Sequence, residues 1–165
     1  MNGFAQIRDL LAARLEEQGI PALAEWTRGK IPALSGVAAV TGICESESGP
    51  AAFWNYLGTR WDEEKGCAVE RYGRTVELTL FVDLYAPKGQ AAALEEALRT
   101  LEELILEQGG SGVSFHALRR GAIEHDGASG YLKSRCTVGC RACFTATRTE
   151  EGAPLTDFIL KGVLQ

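Results

Sequence analysis

The sequence contains no long run of apolar residues. Its uninterrupted apolar stretches are only a few residues long, whereas a helix needs about 20 to span a bilayer. Residues 1–18 form an amphipathic pattern that includes acids, which is unlike the apolar centre of a signal peptide. We therefore expect a soluble, intracellular protein with no membrane partner.

Cysteine is sparse and odd in number. The five cysteines are Cys44, Cys67, Cys136, Cys140 and Cys143. In a chain without a secretory segment, an odd count favours free thiols in a reducing compartment. Disulfide bonds are not expected.

The charge is modest overall but unevenly distributed. The 165 residues, near the length of one domain, carry a formal net charge of −5. Residues 45–108 carry −7 and residues 109–148 carry +4. Such segregation is typical of a nucleic-acid face or of acidic and basic surfaces that meet in an assembly.

Hydrophobic periodicity predicts an α+β fold. Helical spacing of apolar residues predicts helices over residues 3–18 and 90–107, and alternation predicts strands over residues 22–27, 37–44, 74–86, 113–119 and 131–147. Because strands outnumber helices without regular alternation, we expect a mainly antiparallel sheet with two helices packed on one face. Residues 1–148 form a single domain in this interpretation, and residues 149–165 form a short extension with an amphipathic helix that carries Leu155, Phe158, Ile159 and Val163.

Residues 45–73 are the least regular part of the chain. Residues 48–50 could open a short helix that Gly58 ends. Four aromatic residues follow in this region, namely Phe53, Trp54, Tyr56 and Trp61. Aromatic residues on loops are often partner anchors, but a loop that covers a sheet edge explains them as well.

Cys140 and Cys143 form a CxxC sequence. On a strand, Cys136 and Cys140 point to one face and Cys143 to the other, whereas zinc needs four converging ligands. We therefore expect small apolar residues of a sheet and no metal. A small redox protein that uses Cys140 and Cys143 stays an alternative.

No catalytic arrangement is recognisable. His116 and His125 are the two histidines, and no nucleophile motif surrounds a cysteine or serine. We expect no enzyme activity and no cofactor. A nucleic-acid-binding module is a further alternative because residues 109–148 are basic, but the net negative charge weakens it.

The charged residues could instead join subunits. The acids Glu95, Glu96, Glu102 and Glu103 on the second predicted helix could form one patch, and Lys133, Arg135 and Arg141 on the last predicted strand a second. Two unlike, complementary patches are what a head-to-tail ring requires.

The order of elements resembles the tail terminator proteins of long-tailed phages, the minor tail protein U type, and related tail-completion proteins of prophages. The resemblance rests on the opening helix with Phe4, Ile7, Leu10 and Leu11, on residues 75–87 (TVELTLFVDLYAP) running into the long helix, and on the closing strands. Residues 55–58 (NYLG) and 157–164 (DFILKGVL) are also similar to segments of such proteins.

The resemblance implies a structural protein of the virion. Members form hexameric rings that cap the tail tube and contact the head connector, and they carry no catalytic or metal residues. The implied partners are further copies of this chain, the tail tube protein and a head-completion protein, in the host bacterial cytoplasm and then in the tail. The chain departs from the pattern in residues 45–73 and after residue 148.

Overall fold

The computed structural model describes residues 3–24, 33–106 and 112–149. These residues form two helices and seven strands. In chain order they are α1 (Gly3–Glu17), β1 (Ala22–Ala24), β2 (Ala38–Pro50), a 3-10 turn (Phe53–Asn55), β3 (Tyr56–Asp62), β4 (Cys67–Ala86), α2 (Ala91–Leu106), β5 (Val113–Arg120), β6 (Glu124–His125) and β7 (Leu132–Thr149).

The strands form one sheet in the order β1-β2-β4-β7-β5, with β3 beside β4 and β6 beside β7. β1 lies parallel to β2, and every other pair is antiparallel. The long central pair, β4 and β7, is in continuous register from Val69 opposite Thr149 to Ala86 opposite Leu132. The predicted α+β class with a mainly antiparallel sheet is confirmed.

Both helices pack on the same face of the sheet. Alternate residues of β4 supply the sheet side of the core: Val76, Leu78, Leu80, Val82 and Leu84. Opposite them are Ile7, Leu11 and Leu15 of α1 and Leu94, Leu98 and Leu101 of α2. Each fully buried aliphatic side chain stabilises the fold by roughly 1.5–3 kcal/mol, so this layer is the main source of stability.

The helix boundaries follow from local chemistry. Gly19 has a φ of 78°, and the N–H groups of Gly19 and Ile20 donate to the carbonyls of Glu16 and Leu15 at 2.9 and 3.0 Å. This pattern is the Schellman motif, in which a left-handed glycine ends a helix. Between β4 and α2, Pro87 ends the strand, since proline has no N–H group to donate to a neighbouring strand.

The helix predicted within residues 48–58 is wrong. β2 continues to Pro50, and a single 3-10 turn separates it from β3. β4 begins at Cys67, seven residues before the predicted start at residue 74. The strands within residues 45–73 were not predicted because both of their faces are largely exposed. No alternation of apolar and polar residues therefore marks them in the sequence.

Several predictions fall outside the described residues. They are the C-terminal amphipathic helix with Leu155, Phe158, Ile159 and Val163, and residues 25–27 of the first predicted strand. Of the two helices within the described ranges, neither has the length and apolar character needed to cross a membrane.

Candidate assembly surface

The two central strands, β4 and β7, are much longer than the helices that cover them. β4 has 20 residues, a span of about 66 Å at 3.3 Å per residue. α2 has 16 residues, about 24 Å at 1.5 Å per residue. One end of the sheet therefore extends past the helical layer. We call this end the distal sheet; it comprises β3, residues 67–73 of β4 and residues 143–149 of β7.

The distal sheet has almost no core of its own. Among its described residues, Val69 and Gly73 are the buried ones. Leu57 lies directly over Gly73, because a Cβ at residue 73 would come within 2.6 Å of the Leu57 Cδ1. The absence of a side chain at Gly73 therefore leaves room for the Leu57 side chain to pack against β4.

Aromatic side chains line the helix-side face of the distal sheet. Tyr56 is directly opposite Tyr72, and their rings meet edge to face at 5.7 Å. Phe144 lies on the same face, where its ring packs 6.4 Å from that of Phe4 in α1. Trp61 also lies on this face, because it is opposite Ala68, which is four residues from Tyr72 and therefore on the same side of β4.

A hydrogen bond orients Tyr72. Its hydroxyl donates to the Glu70 Oε2 at 2.7 Å, and this bond raises the pKa of Tyr72. The phenol therefore stays neutral and keeps its donor on the carboxylate. Tyr56 is held in turn by its contact with the Thr59 hydroxyl at 2.5 Å.

The turn between β2 and β3 exposes two further aromatic rings. Phe53 is 85% exposed and Trp54 79% exposed, and Trp61 on β3 is 62% exposed. Trp54 and Asn55 both have positive φ, at 57° and 61°, which is costly for non-glycine residues and especially for bulky ones. Strained, exposed aromatic residues are typical of a binding surface.

The opposite face of the sheet carries an ion-pair cluster around Asp83. Arg135 donates two hydrogen bonds to this carboxylate, both at 2.7 Å, and the Lys133 Nζ lies 3.0 Å away. Burial of Lys133 works against its charge, but the hydrogen bonds and charges of Asp83 and Tyr85 together outweigh it and raise the pKa of Lys133. Asp83 is buried, so the two cations compensate its desolvation.

Most of the other predicted patch residues also have partners within the chain. Arg141 pairs with Glu77 on the neighbouring strand. Glu95 pairs with Arg120 of β5, and the Glu102 Oε1 lies 3.8 Å from the same guanidinium. The acidic and basic patches are therefore largely compensated inside each subunit, and their role between subunits stays a prediction.

The cysteines lie where strand geometry predicts. Cys136 and Cys140 are buried, whereas Cys143 is exposed on the other face. Burial raises the pKa of Cys140 to about 11 and also raises that of Cys136. Within the described ranges, no three His, Cys, Asp or Glu side chains are grouped so as to hold a metal ion.

One groove lined by residues distant in sequence was not predictable from spacing. Cys44 of β2 and His116 of β5 line the same groove, of about 640 Å³, on the face away from the helices. His116 reaches over the sheet because Gly139 has no side chain; a Cβ there would lie 3.0 Å from the imidazole Nε2. His125 lies elsewhere, exposed on the short strand β6.

The structure thus divides the predicted site residues into separate groups. Phe53 and Trp54 contact each other in the turn between β2 and β3, and Tyr56 and Trp61 lie on β3 directly after it. The charged residues lie elsewhere: Lys133, Arg135 and Arg141 on the opposite sheet face, and Glu95 and Glu102 on α2. Sequence reasoning missed Tyr72 and Phe144 as part of the aromatic face, because Tyr72 precedes the predicted start of β4 and because the pairing of β3 with β4 and of β4 with β7 cannot be read from spacing.

Comparison with known proteins does not identify a family. The sequence matches no protein-family model, and a search of curated protein sequences also finds no match.

Proposed function

We propose that this protein is a structural subunit of phage tail assembly, which forms a ring that caps the tail tube and joins it to the head connector. The observation that carries the proposal is the distal sheet, a set of long strands that leave the helical core and expose aromatic side chains around a strained turn. The resemblance of the element order to tail terminator proteins is the reason for proposing a ring on the tail tube and not another kind of assembly.

The exposed aromatic residues support an assembly role on energetic grounds. Phe53, Trp54 and Trp61 lose little water on folding of one chain, so they add little to its stability. Aromatic residues of this kind are prominent among those that carry most of the binding energy of protein interfaces. Trp61 is presented by the strand β3, and Phe53 and Trp54 by a three-residue turn between two strands, which limits the entropy cost of ordering them.

The partners and location follow from the same proposal. The chain would contact further copies of itself, the tail tube protein and a head-completion or connector protein, in the bacterial cytoplasm and then in the virion tail. The protein would act without catalysis and without a cofactor.

The two alternatives receive less support. A redox pair of Cys140 and Cys143 would have to join side chains on opposite faces of one strand. A nucleic-acid site on Lys133, Arg135 and Arg141 would have to compete with Asp83 and Glu77, which already pair with these cations.

Tube growth tests the proposal. Full-length protein added to elongating tubes of the tail tube protein from the same genome should stop elongation and give blunt, capped ends in electron micrographs. Trp54→Ala should weaken this effect, whereas Leu106→Ala, which removes an equally exposed apolar side chain from α2, should not. Unchanged tube lengths with saturating wild-type protein would reject the proposed function.

A further inference from the structure

The helical layer ends before the sheet does. On the helix-side face of the distal sheet, the Phe144 ring meets that of Phe4, in the first turn of α1, at 6.4 Å. Beyond this contact, Ala146 and Arg148 of β7 are exposed, so neither α1 nor α2 covers them. The strip of β7 from residue 144 to residue 149 is about 17 Å long at 3.3 Å per residue, which leaves room for one short helix.

This strip is apolar at its centre and basic at its rim. Tyr72 of β4 is directly opposite Ala146, and the small alanine allows another element to approach closely. Arg74 and Arg148 lie on the same face and make no ion pair within residues 3–24, 33–106 and 112–149. Glu70, the acid of this face, accepts the Tyr72 hydroxyl. The strip therefore combines an apolar centre with two cations against one carboxylate.

The chain that follows β7 carries a segment of matching pattern and length. β7 ends at Thr149, at the far end of this strip. In residues 154–163, four apolar residues recur at helical spacing and predict one apolar stripe: Leu155, Phe158, Ile159 and Val163. As a helix, these ten residues would span about 15 Å at 1.5 Å per residue, close to the length of the strip.

The charges of the same segment complement the rim. Residues 150–165 carry three acids and one base, namely Glu150, Glu151, Asp157 and Lys161. Their net charge is opposite in sign to that of the strip, where Arg74 and Arg148 outnumber Glu70. Complementary charges of this kind orient a docking segment more than they add to its affinity.

We propose that residues 154–163 pack as a helix on the helix-side face of the distal sheet of their own chain, over Tyr72 and Ala146. The linker, residues 150–153, spans at most about 14 Å. This length is enough to rise the roughly 10 Å between packed layers and turn back over the sheet. The short tether gives the segment a high effective concentration at this face. The inference concerns the single subunit and does not depend on the proposed ring.

The opposite face of β7 is a poorer match. It presents Thr145 and Thr147 at this level, which offer little apolar surface to the stripe. On the helix-side face, by contrast, the segment would continue the layer that α1 begins. Its C-terminal end would meet the N-terminus of α1, an arrangement that the helix dipoles favour. A helix of ten residues is marginal alone, so docking is what would stabilise it.

The docked segment would leave the outer part of the aromatic face uncovered. Trp61 is opposite Ala68, and Ala68 lies just beyond Val69, the residue of β4 opposite Thr149. The Trp61 ring therefore lies outside the strip and stays exposed to a partner.

Hydrogen exchange of the full-length protein tests the docking. In dilute monomer, the amides of residues 157–163 should exchange at least about tenfold more slowly than those of an unstructured chain, at rates independent of protein concentration. Ala146→Asp places a carboxylate beneath the apolar stripe and should abolish this protection. Thr147→Asp is the matched control, because it adds the same charge to the opposite face of β7, and it should preserve the protection.

A change within the segment gives a second measurement that leaves the sheet intact. Phe158→Asp interrupts the apolar stripe and should abolish the protection of the neighbouring amides. Lys161→Asp introduces the same residue on the polar side of the predicted helix and should preserve it.

Each other outcome would overturn the inference. Absence of protection in the wild-type protein would show that the segment does not dock. Protection that survives Ala146→Asp or Phe158→Asp, or that is lost equally in the control variants, would place the segment elsewhere. Protection that appears only as concentration rises would show docking on another copy. Capping of tubes by a protein with an unprotected segment would reject the docking while leaving the proposed function intact.

Discussion

The two ends of the central strands differ in what surrounds them. Near Leu80 the strands lie under α1 and α2, and their apolar residues are fully buried. Near Tyr56 and Trp61 the same sheet continues with exposed side chains, and the outer edge of β3 has no strand partner within residues 3–24, 33–106 and 112–149. The comparison indicates that one end stabilises the subunit, whereas the other end contributes little to folding. The second end is the one we propose for assembly.

Alanine substitution of one core and one distal side chain should give the largest difference in the free energy of unfolding between the two ends. Leu80→Ala removes a fully buried side chain and should lower the free energy of unfolding by about 2–5 kcal/mol. Trp61→Ala removes a larger but exposed side chain and should change it by about 0.5 kcal/mol or less. Urea denaturation of dilute monomer measures both. A comparable loss for Trp61→Ala would contradict the division.

The ion-pair cluster belongs to the stabilising end. Asp83→Asn leaves Lys133 and Arg135 without their shared carboxylate and should cost about 1.5–3 kcal/mol. Glu77→Gln is the matched control, because its pair with Arg141 is exposed and worth about 0–1 kcal/mol. Equal losses in the two variants would show that burial of Asp83 does not matter.

The two faces of β7 should differ in thiol chemistry. Because burial raises the pKa of Cys140 to about 11, alkylation of the folded protein should modify Cys143 and spare Cys140. The folded state holds the Cys140 proton more tightly than the unfolded state, whose reference pKa is 9.0. Stability should therefore be unaffected below pH 9 and should fall as pH rises toward about 11.

Denaturation of wild type and Cys140→Ala between pH 9 and about 11 tests whether stability falls with rising pH as predicted. The variant should lose less stability than wild type over the same interval, while Cys143→Ser should follow wild type. Equal alkylation rates at Cys140 and Cys143 without unfolding would place both thiols at the surface.

The strained turn should give the smallest effect, of opposite sign. Trp54→Gly removes a bulky residue from a positive φ and should raise monomer stability by about 0.5–1 kcal/mol while weakening self-association. Phe53→Gly is the control, since Phe53 is equally exposed but is not among the residues with positive φ. A gain from both variants, or a loss from Trp54→Gly, would show that the turn is not strained.

The same contrast explains which features were predictable. β4 from Val76 to Leu84 alternates apolar and polar residues because one face is buried, and α2 repeats leucines because one stripe is buried. β3 and residues 67–73 show neither pattern, since water reaches both faces. The aromatic residues were recognised as a group, but their placement depends on pairing between distant segments, as does the contact of Arg135 with Asp83.

Native mass spectrometry of the full-length protein over a range of concentrations tests assembly through the distal sheet most directly. We predict monomers in equilibrium with one closed species of fixed subunit number larger than two, which Trp54→Ala weakens and Leu106→Ala does not. A protein that stays monomeric at every concentration, or whose largest species is a symmetric dimer, would contradict head-to-tail assembly through this surface.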